Sequence, residues 1–171
     1  MAFIRTKTVK GNTYAYLVQN QWTQKGARQR SKKYLGRVFL LEKVRDKPFC
    51  SMENYVIKGK SKKEILANAI VITLQGYGFS QKENKLKKEN LFVDLKTLEV
   101  AQRNGNPAAL SLNGGILCTE TISRILACRE SEENIEGYQL AKCCVEAGLS
   151  LPEKLFVAIY EAAKHEQPDG A

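Results

Sequence analysis

The chain has 171 residues, 43% of them hydrophobic, and a formal net charge of +9. This length and apolar content suffice for the buried core of one ordinary domain or two small ones. No run of about eighteen apolar residues occurs, and the first residues lack the apolar centre of a signal peptide. We therefore expect a soluble, cytoplasmic protein without a membrane partner.

The charge is unevenly distributed along the chain. Residues 1–47 contain 12 Lys and Arg against 2 Asp and Glu, whereas residues 91–171 contain 7 against 12. A basic head and an acidic tail indicate one end that faces nucleic acid and one with another role. Because proline disfavours helix in the residue before it, we place a domain boundary near Pro48. It separates a basic β-sheet segment, 1–47, from an α+β domain, 48–171.

The first forty residues contain three β-type runs separated by two turn signals, Lys10-Gly11-Asn12 and Gln24-Lys25-Gly26. Short glycine-containing loops between alternating runs are hairpin signals, which predicts a three-stranded antiparallel sheet. On the third run Arg28, Arg30 and Lys32 are spaced at period two. A strand would place all three on one face.

Aromatic residues accompany these cations. On the second run Tyr14, Tyr16 and Trp22 share one face. A positive sheet can follow a phosphate backbone, and a ribbon of strands can enter the DNA major groove. The predicted nucleic-acid-binding residues are Lys7, Lys10, Tyr14, Tyr16, Trp22, Lys25, Arg28, Arg30, Lys32, Lys33 and Arg37. The aromatic rings would stack on bases of a single strand or RNA, or else belong to the core. The alternative to nucleic-acid binding is a solvated basic face that binds no partner.

Four stretches carry a resemblance: Phe3–Lys7, Tyr14–Val18, Gly26–Arg30 and Lys33-Tyr34-Leu35-Gly36. Their order resembles the N-terminal segment of insertion-sequence transposases of the DDE class, over about the first quarter of the chain. The resemblance implies an ancestral DNA-end-binding role. That family's chemistry needs three acidic residues that hold two metal ions. Asp94 is similar to the first of them, but nothing downstream resembles the second.

Other catalytic or metal-binding patterns are scarce. The five cysteines, Cys50, Cys118, Cys128, Cys143 and Cys144, contain no Cys-x-x-Cys pair, and His165 is the only histidine. We predict no metal site, no cofactor and no catalytic residues, with reduced cysteines serving as small core residues.

The middle of the chain contains a capping box at Ser61–Glu64, followed by a mostly apolar helix that ends by Gly76 or Gly78. Lys58, Lys60, Lys62 and Lys63 could hold a phosphate at its start. We interpret Ser80–Asn90 as an exposed basic loop. Leu91–Gln102 and Ala108–Leu112 are predicted to form a hairpin around Asn104-Gly105, and Asn113-Gly114-Gly115 to turn into a helix.

Three helices are predicted in the last third, the second starting near Ser131 and the third at a capping box, Ser150–Glu153. The fold class is therefore α+β: a basic three-stranded sheet, a mixed α/β middle with a β-hairpin and a C-terminal helical cluster. The expected function is non-enzymatic binding of DNA, RNA or a ribonucleoprotein. One alternative is a protein-interaction module that docks, or self-associates, through its acidic C-terminal helices. A second alternative is a remnant metal-dependent transposase or nuclease that uses Asp94.

Overall fold

The computed structural model describes residues 2–23, 26–44, 60–128 and 136–165. Strands and helices follow in the order β1 Ala2–Val9, β2 Asn12–Thr23, β3 Gly26–Leu40, α1 Lys62–Gly76, β4 Ser80–Lys82, β5 Lys85–Lys88, β6 Leu91–Asp94, β7 Glu99–Gln102, β8 Ala108–Leu112, β9 Gly115–Leu117, α2 Thr119–Ala127, α3 Glu136–Glu146 and α4 Glu153–His165. They build one sheet of order β1-β2-β3-β8-β9 and a second of order β4-β5-β6-β7. The predicted α+β class is confirmed.

The N-terminal three-stranded antiparallel sheet is also confirmed. β1 pairs with β2 from Ala2 opposite Gln19 to Val9 opposite Asn12. Lys10 and Gly11 connect them with φ of 49° and 77°, the positive values that a tight hairpin turn requires. β2 and β3 continue to pair beyond Gln19, so the end of the sheet that is far from the Lys10-Gly11 turn has only two strands.

Two irregular steps interrupt β3. Its pairing with β2 passes over Lys32 and again over Leu35, while every residue of β2 from Tyr14 to Thr23 has a partner. Extra residues of this kind are β-bulges, which reset the alternation of side chains. Strict alternation does not hold at Lys32, which has no partner in β2, and its shared face with Arg28 and Arg30 stays a prediction. Lys33, opposite Leu17, continues that face.

β3 joins the N-terminal sheet to the rest of the fold. Its last residues, Arg37 to Leu40, pair in parallel with Ala108 to Ser111 of β8, and β9 follows as the outer strand. One sheet thus contains strands from both sides of the predicted boundary near Pro48. That residue lies outside the described ranges, and the division into two domains stays a prediction.

The main core forms around α1. The Ser61–Glu64 capping box is present, with the Ser61 hydroxyl accepting from the Glu64 amide and the Glu64 carboxylate accepting from the Ser61 amide. Leu66, Ile70 and Leu74 on this helix are fully buried. They belong to the same cluster as buried residues of both sheets: Leu86, Val93, Val100, Ala108, Leu110 and Leu112.

The turns between Ser80 and Gly115 differ from the predictions. Ser80–Asn90 is not a loop, because β4 and β5 pair antiparallel within it. The hairpin predicted around Asn104-Gly105 is reduced to a single bridge between Ala101 and Pro107, since β8 leaves to pair with β3 and β9 instead. Asn113 and Gly114 form a hairpin turn between β8 and β9, before the helix begins.

The predicted helical cluster is confirmed in α2, α3 and α4. The predicted start of the second helix near Ser131 lies outside the described residues. α4 starts at Glu153, later than its predicted capping box, because the Pro152 carbonyl accepts the first helical bonds from Leu155 and Phe156. Within the described ranges, no helix combines the length and apolar character needed to cross a bilayer.

Candidate nucleic-acid interface

The ribbon of β1, β2 and β3 presents two outer surfaces of different composition. Side chains alternate between the faces of a sheet, and directly paired residues share a face. The pairing places two rows across the three strands, Lys7–Tyr14–Arg37 and Arg5–Tyr16–Tyr34. We call these six residues the tyrosine face. The opposite surface carries the cross-strand pairs Gln19–Arg30 and Gln21–Arg28, near the end of β2 and β3 that is far from the Lys10-Gly11 turn. We call these four residues the Gln/Arg face.

The rings of the tyrosine face pack on one another. The Tyr34 ring centroid lies 5.5 Å from that of Tyr16 and 6.3 Å from that of Tyr14, with the rings tilted by 52° and 46°. Burial, followed by the neighbouring Tyr16 and Tyr14, raises the pKa of Tyr34, so its hydroxyl stays protonated. Exposed cations surround the rings: Arg5 and Lys7 on β1 and Arg37 on β3.

The alternative prediction, that Tyr14, Tyr16 and Trp22 belong to the hydrophobic core, is wrong. Trp22 is 83% exposed, and Tyr14 and Tyr16 are only half-buried. None of the three belongs to either hydrophobic cluster of the described residues. The small cluster on the other side of the sheet consists instead of aliphatic and small residues, among them Ala15, Leu35 and Ala109. The aromatic rings are therefore available to a partner.

The Gln/Arg face lies at the free end of the ribbon. The side chains of Gln21, Arg28 and Arg30 are exposed. Neither Arg28 nor Arg30 has an ion pair or hydrogen-bonded side-chain partner among the described residues. An arginine without an internal partner presents its full set of guanidinium donors to whatever approaches. This face is thus the most open group of donors on the ribbon.

The remaining predicted residues are distributed around these two surfaces. Lys10 is exposed in the turn after β1, and Lys32 is exposed at a bulge. Lys33 donates to Glu120 of α2 at 3.1 Å while its side chain remains 61% exposed. One acid of the C-terminal half thus neutralises one cation of the ribbon, as an acidic tail folded onto a basic head would. Lys25 lies outside the described residues.

Two members of the tyrosine face were not predicted from the sequence. Arg5 stands two residues before Lys7, and that spacing on a strand was a usable signal. Tyr34 carries no such signal, because alternation counted from Arg37 places it on the opposite face. The bulge at Leu35 brings the two residues onto the same face. Gln19 and Gln21 were also not predicted, because the prediction was based on charged and aromatic residues and these side chains are neutral amides.

A phosphate site at the start of α1 is not supported by Lys62. This lysine is 1% exposed, and its ammonium group donates to the carbonyl oxygens of Leu126, at 3.0 Å, and of Cys128. These carbonyls end α2, where unpaired backbone acceptors and the negative end of the helix dipole favour a cation. Lys62 therefore joins two helices, and Lys58 lies outside the described residues.

Asp94, the residue similar to a transposase acid, holds a turn. Its carboxylate accepts from the amides of Lys96 at 2.9 Å and Thr97 at 3.1 Å, and lies 3.8 Å from the Lys85 ammonium. Burial raises the pKa of this carboxyl, but the hydrogen bonds from Thr97 and Lys96 outweigh burial and hold the pKa below its usual value. In the described part of the chain, no three His, Cys, Asp or Glu side chains come together as metal ligands.

The described cysteines are free thiols. Cys118 and Cys144 are buried, as predicted for small core residues, and Cys50 lies outside the described ranges. The Sγ atoms of Cys128 and Cys143 are 3.6 Å apart. Burial and then the Cys128 thiol raise the pKa of Cys143 to about 11. A thiol with a raised pKa is a poor nucleophile at neutral pH, so Cys143 does not resemble a reactive cysteine.

The geometry thus places exposed cations, aromatic rings and amides together on the sheet of β1, β2 and β3, whereas Lys62 and Asp94 are engaged in structural hydrogen bonds. No family model, curated protein or solved structure matches this chain.

Proposed function

We propose that this protein binds nucleic acid through the ribbon of β1, β2 and β3, without catalysing a reaction on it. One observation carries the proposal: residues 2–40 contain nine Lys and Arg and not a single Asp or Glu. Most of these cations are exposed on a sheet whose two faces also present tyrosines and glutamines. Phosphate contacts position a protein on nucleic acid, and polar or aromatic groups between them contact bases.

The physical basis is counterion release. Each Lys or Arg that neutralises a phosphate of B-DNA displaces condensed cations, and the logarithm of the affinity then falls with the logarithm of salt concentration by about 0.9 per contact. Residues 2–40 contribute no acid that would repel phosphates. Among their described cations, Lys33 alone has an ion pair, with Glu120 of α2.

The test is a triple substitution, Arg28→Ala, Arg30→Ala and Lys32→Ala. We expect weaker binding to labelled DNA or RNA, and a salt slope reduced by about 2.7 if all three contact B-DNA phosphates. The matched control removes three exposed lysines elsewhere, Lys63, Lys96 and Lys154. Equal losses in both triple variants would indicate a charge effect of the whole protein. Absence of binding in the wild type at physiological salt would overturn the proposal.

A derivation from a transposase DNA-binding segment fits the same ribbon and stays part of this proposal. Its support is the ordered set of residues that ends in Lys33-Tyr34-Leu35-Gly36, which occupies β1 to β3. The turn-holding role of Asp94 gives no support to a retained metal-dependent reaction.

A second candidate function is protein interaction through α3. Tyr138 and Val145 are 68% and 69% exposed, and a spacing of seven residues puts them on one helix face. If this face binds a partner or a second copy, the double variant Tyr138→Ser, Val145→Ser abolishes that association and leaves nucleic-acid affinity unchanged. Sedimentation of wild type and variant as monomers alike would remove self-association from consideration.

A further inference from the structure

We infer that the Gln/Arg face reads base edges in the major groove of double-stranded DNA, with a preference for guanine and adenine. This inference rests on the proposed function and makes it specific. It concerns Gln19, Gln21, Arg28 and Arg30, which lie on one surface. Gln21 and Arg28 belong to the part of β2 and β3 that runs on past β1, and Gln19 and Arg30 lie at its base, where Gln19 pairs with Ala2.

The first argument is size. The major groove is about 12 Å wide and admits a two-stranded ribbon. β1 ends opposite Gln19, so the four pairs from Asn20–Gln29 to Thr23–Gly26 form such a ribbon. Nearer the body, three strands about 4.8 Å apart, with their side chains, exceed that width. The two-stranded end, with the Gln19–Arg30 pair at its base, therefore fits the groove, and the three-stranded part from Phe3 onward stays outside it.

The second argument is chemistry. An arginine fork can bond the O6 and N7 of guanine together, and a glutamine amide can bond the N6 and N7 of adenine. The face offers both side-chain types in cross-strand pairs, with Arg28 beside Gln21 and Arg30 beside Gln19. Two residues along a strand span about 6.8 Å, close to the rise of two base pairs. Arg28 and Arg30 are thus spaced to contact bases about two steps apart.

The third argument is availability. Arg28 and Arg30 are exposed and make no side-chain bond to described residues, so binding breaks no internal contact. The tyrosine face is less free. Its rings tilt against one another at 5.5 and 6.3 Å, and Arg5 donates to Gln29. Stacking of single-stranded bases would require these rings to separate. Duplex recognition by the Gln/Arg face is therefore favoured over single-strand stacking.

The test begins with selection of bound sequences from a random duplex DNA library by the full-length protein. We expect an enriched motif with purines, chiefly guanine, at positions about two base pairs apart. The variant Arg28→Lys, Arg30→Lys keeps the charge but loses the bidentate fork. It should bind the enriched site about tenfold more weakly or worse, while affinity for unrelated duplex and the salt slope stay as in the wild type. Arg103→Lys, an exposed arginine off the ribbon, is the control and should change neither.

The outcomes separate this inference from the proposal beneath it. Binding with a steep salt slope but no enriched motif would overturn base reading and leave nucleic-acid binding in place. A strong preference for single-stranded DNA or RNA, abolished by Tyr16→Ala and Tyr34→Ala, would also overturn it and assign the site to the tyrosine face. Failure to bind any nucleic acid would remove both. Circular dichroism and melting of each variant establish that the fold is retained.

Discussion

Replacement of Gly36 by alanine tests how the ribbon is attached to the body of the protein. Gly36 has a φ of +126° and lies opposite Ala15, next to the bulge at Leu35. A methyl group built on it would lie 2.5 Å from the Pro107 carbonyl oxygen and 2.7 Å from the Ala108 amide nitrogen. Both atoms are backbone of the segment that enters β8. They cannot turn aside as a side chain would.

Two contributions add in the Gly36→Ala variant. A non-glycine residue in a sparsely populated backbone region costs about 1–3 kcal/mol. Relief of the clash requires β3 to move from β8, which weakens a ladder that pairs Arg37–Leu40 with Ala108–Ser111. Each lost backbone hydrogen bond costs about 0.5–1.5 kcal/mol. We therefore expect a loss of about 3–5 kcal/mol in the free energy of unfolding, which is a large part of a typical domain's stability.

Gly11→Ala is the matched control, because Gly11 also has a positive φ, +77°, but nothing lies within 4 Å of an added methyl. It should cost only about 1–2 kcal/mol. Urea unfolding monitored by circular dichroism measures both losses. In thermal melts the two variants should differ by several degrees, at about 2–4 °C for each kcal/mol in a chain of this size. Equal destabilisation of the two variants would refute the argument that the contact of β3 with Pro107 and Ala108 sets the cost.

Three further predictions concern residues away from the ribbon. Lys62→Met should lower the free energy of unfolding by about 1–3 kcal/mol, because the carbonyls of Leu126 and Cys128 lose their donor; Lys63→Met, at an exposed position, should change it by less than about 0.5 kcal/mol in the same urea experiment. The raised pKa of Cys143 stabilises the fold below the unfolded value of 9.0, and this contribution is lost as the pH rises through about 11. Wild type should therefore lose more stability than Cys143→Ala between pH 9 and pH 11, and parallel curves would contradict that role. The lowered pKa of Asp94 has the opposite sign: its contribution is present above the unfolded value of 3.8 and is lost as the pH falls through the lower folded value. The stability difference between wild type and Asp94→Asn should thus shrink below pH 3.8, and a constant difference from pH 7 to pH 2 would show that the carboxylate charge does not matter.

The elements predicted correctly are those encoded by local chemistry. The Lys10-Gly11 turn and the Ser61–Glu64 capping box each depend on a few adjacent residues. A side chain that satisfies a neighbouring amide, or a glycine at a positive φ, acts whatever the rest of the chain does. Such signals can be recognised in a sequence without knowledge of its partners.

The turn signals after Asp94 failed because strands compete for partners. Asn104-Gly105 and Asn113-Gly114 are both suitable hairpin turns, and only pairing energies across the whole sheet determine which one closes. β8 pairs with β3, far away in the chain, so the first turn connects two sheets and the second forms the hairpin. The pairing of residues 37–40 with residues 108–111 has no signature in the sequence near either segment.

In the candidate interface, too, some features follow from the sequence and others only from the folded sheet. Composition and spacing were enough to locate the basic ribbon, since a run of cations without acids is a property of the chain itself. The two bulges of β3 decided which residues share a face. They bring Tyr34 and Arg37 together and add Lys33 to the face of Arg28 and Arg30. Alternation along a strand is a local rule, but a bulge reflects how two strands of unequal residue count are matched, and that matching exists only in the folded sheet.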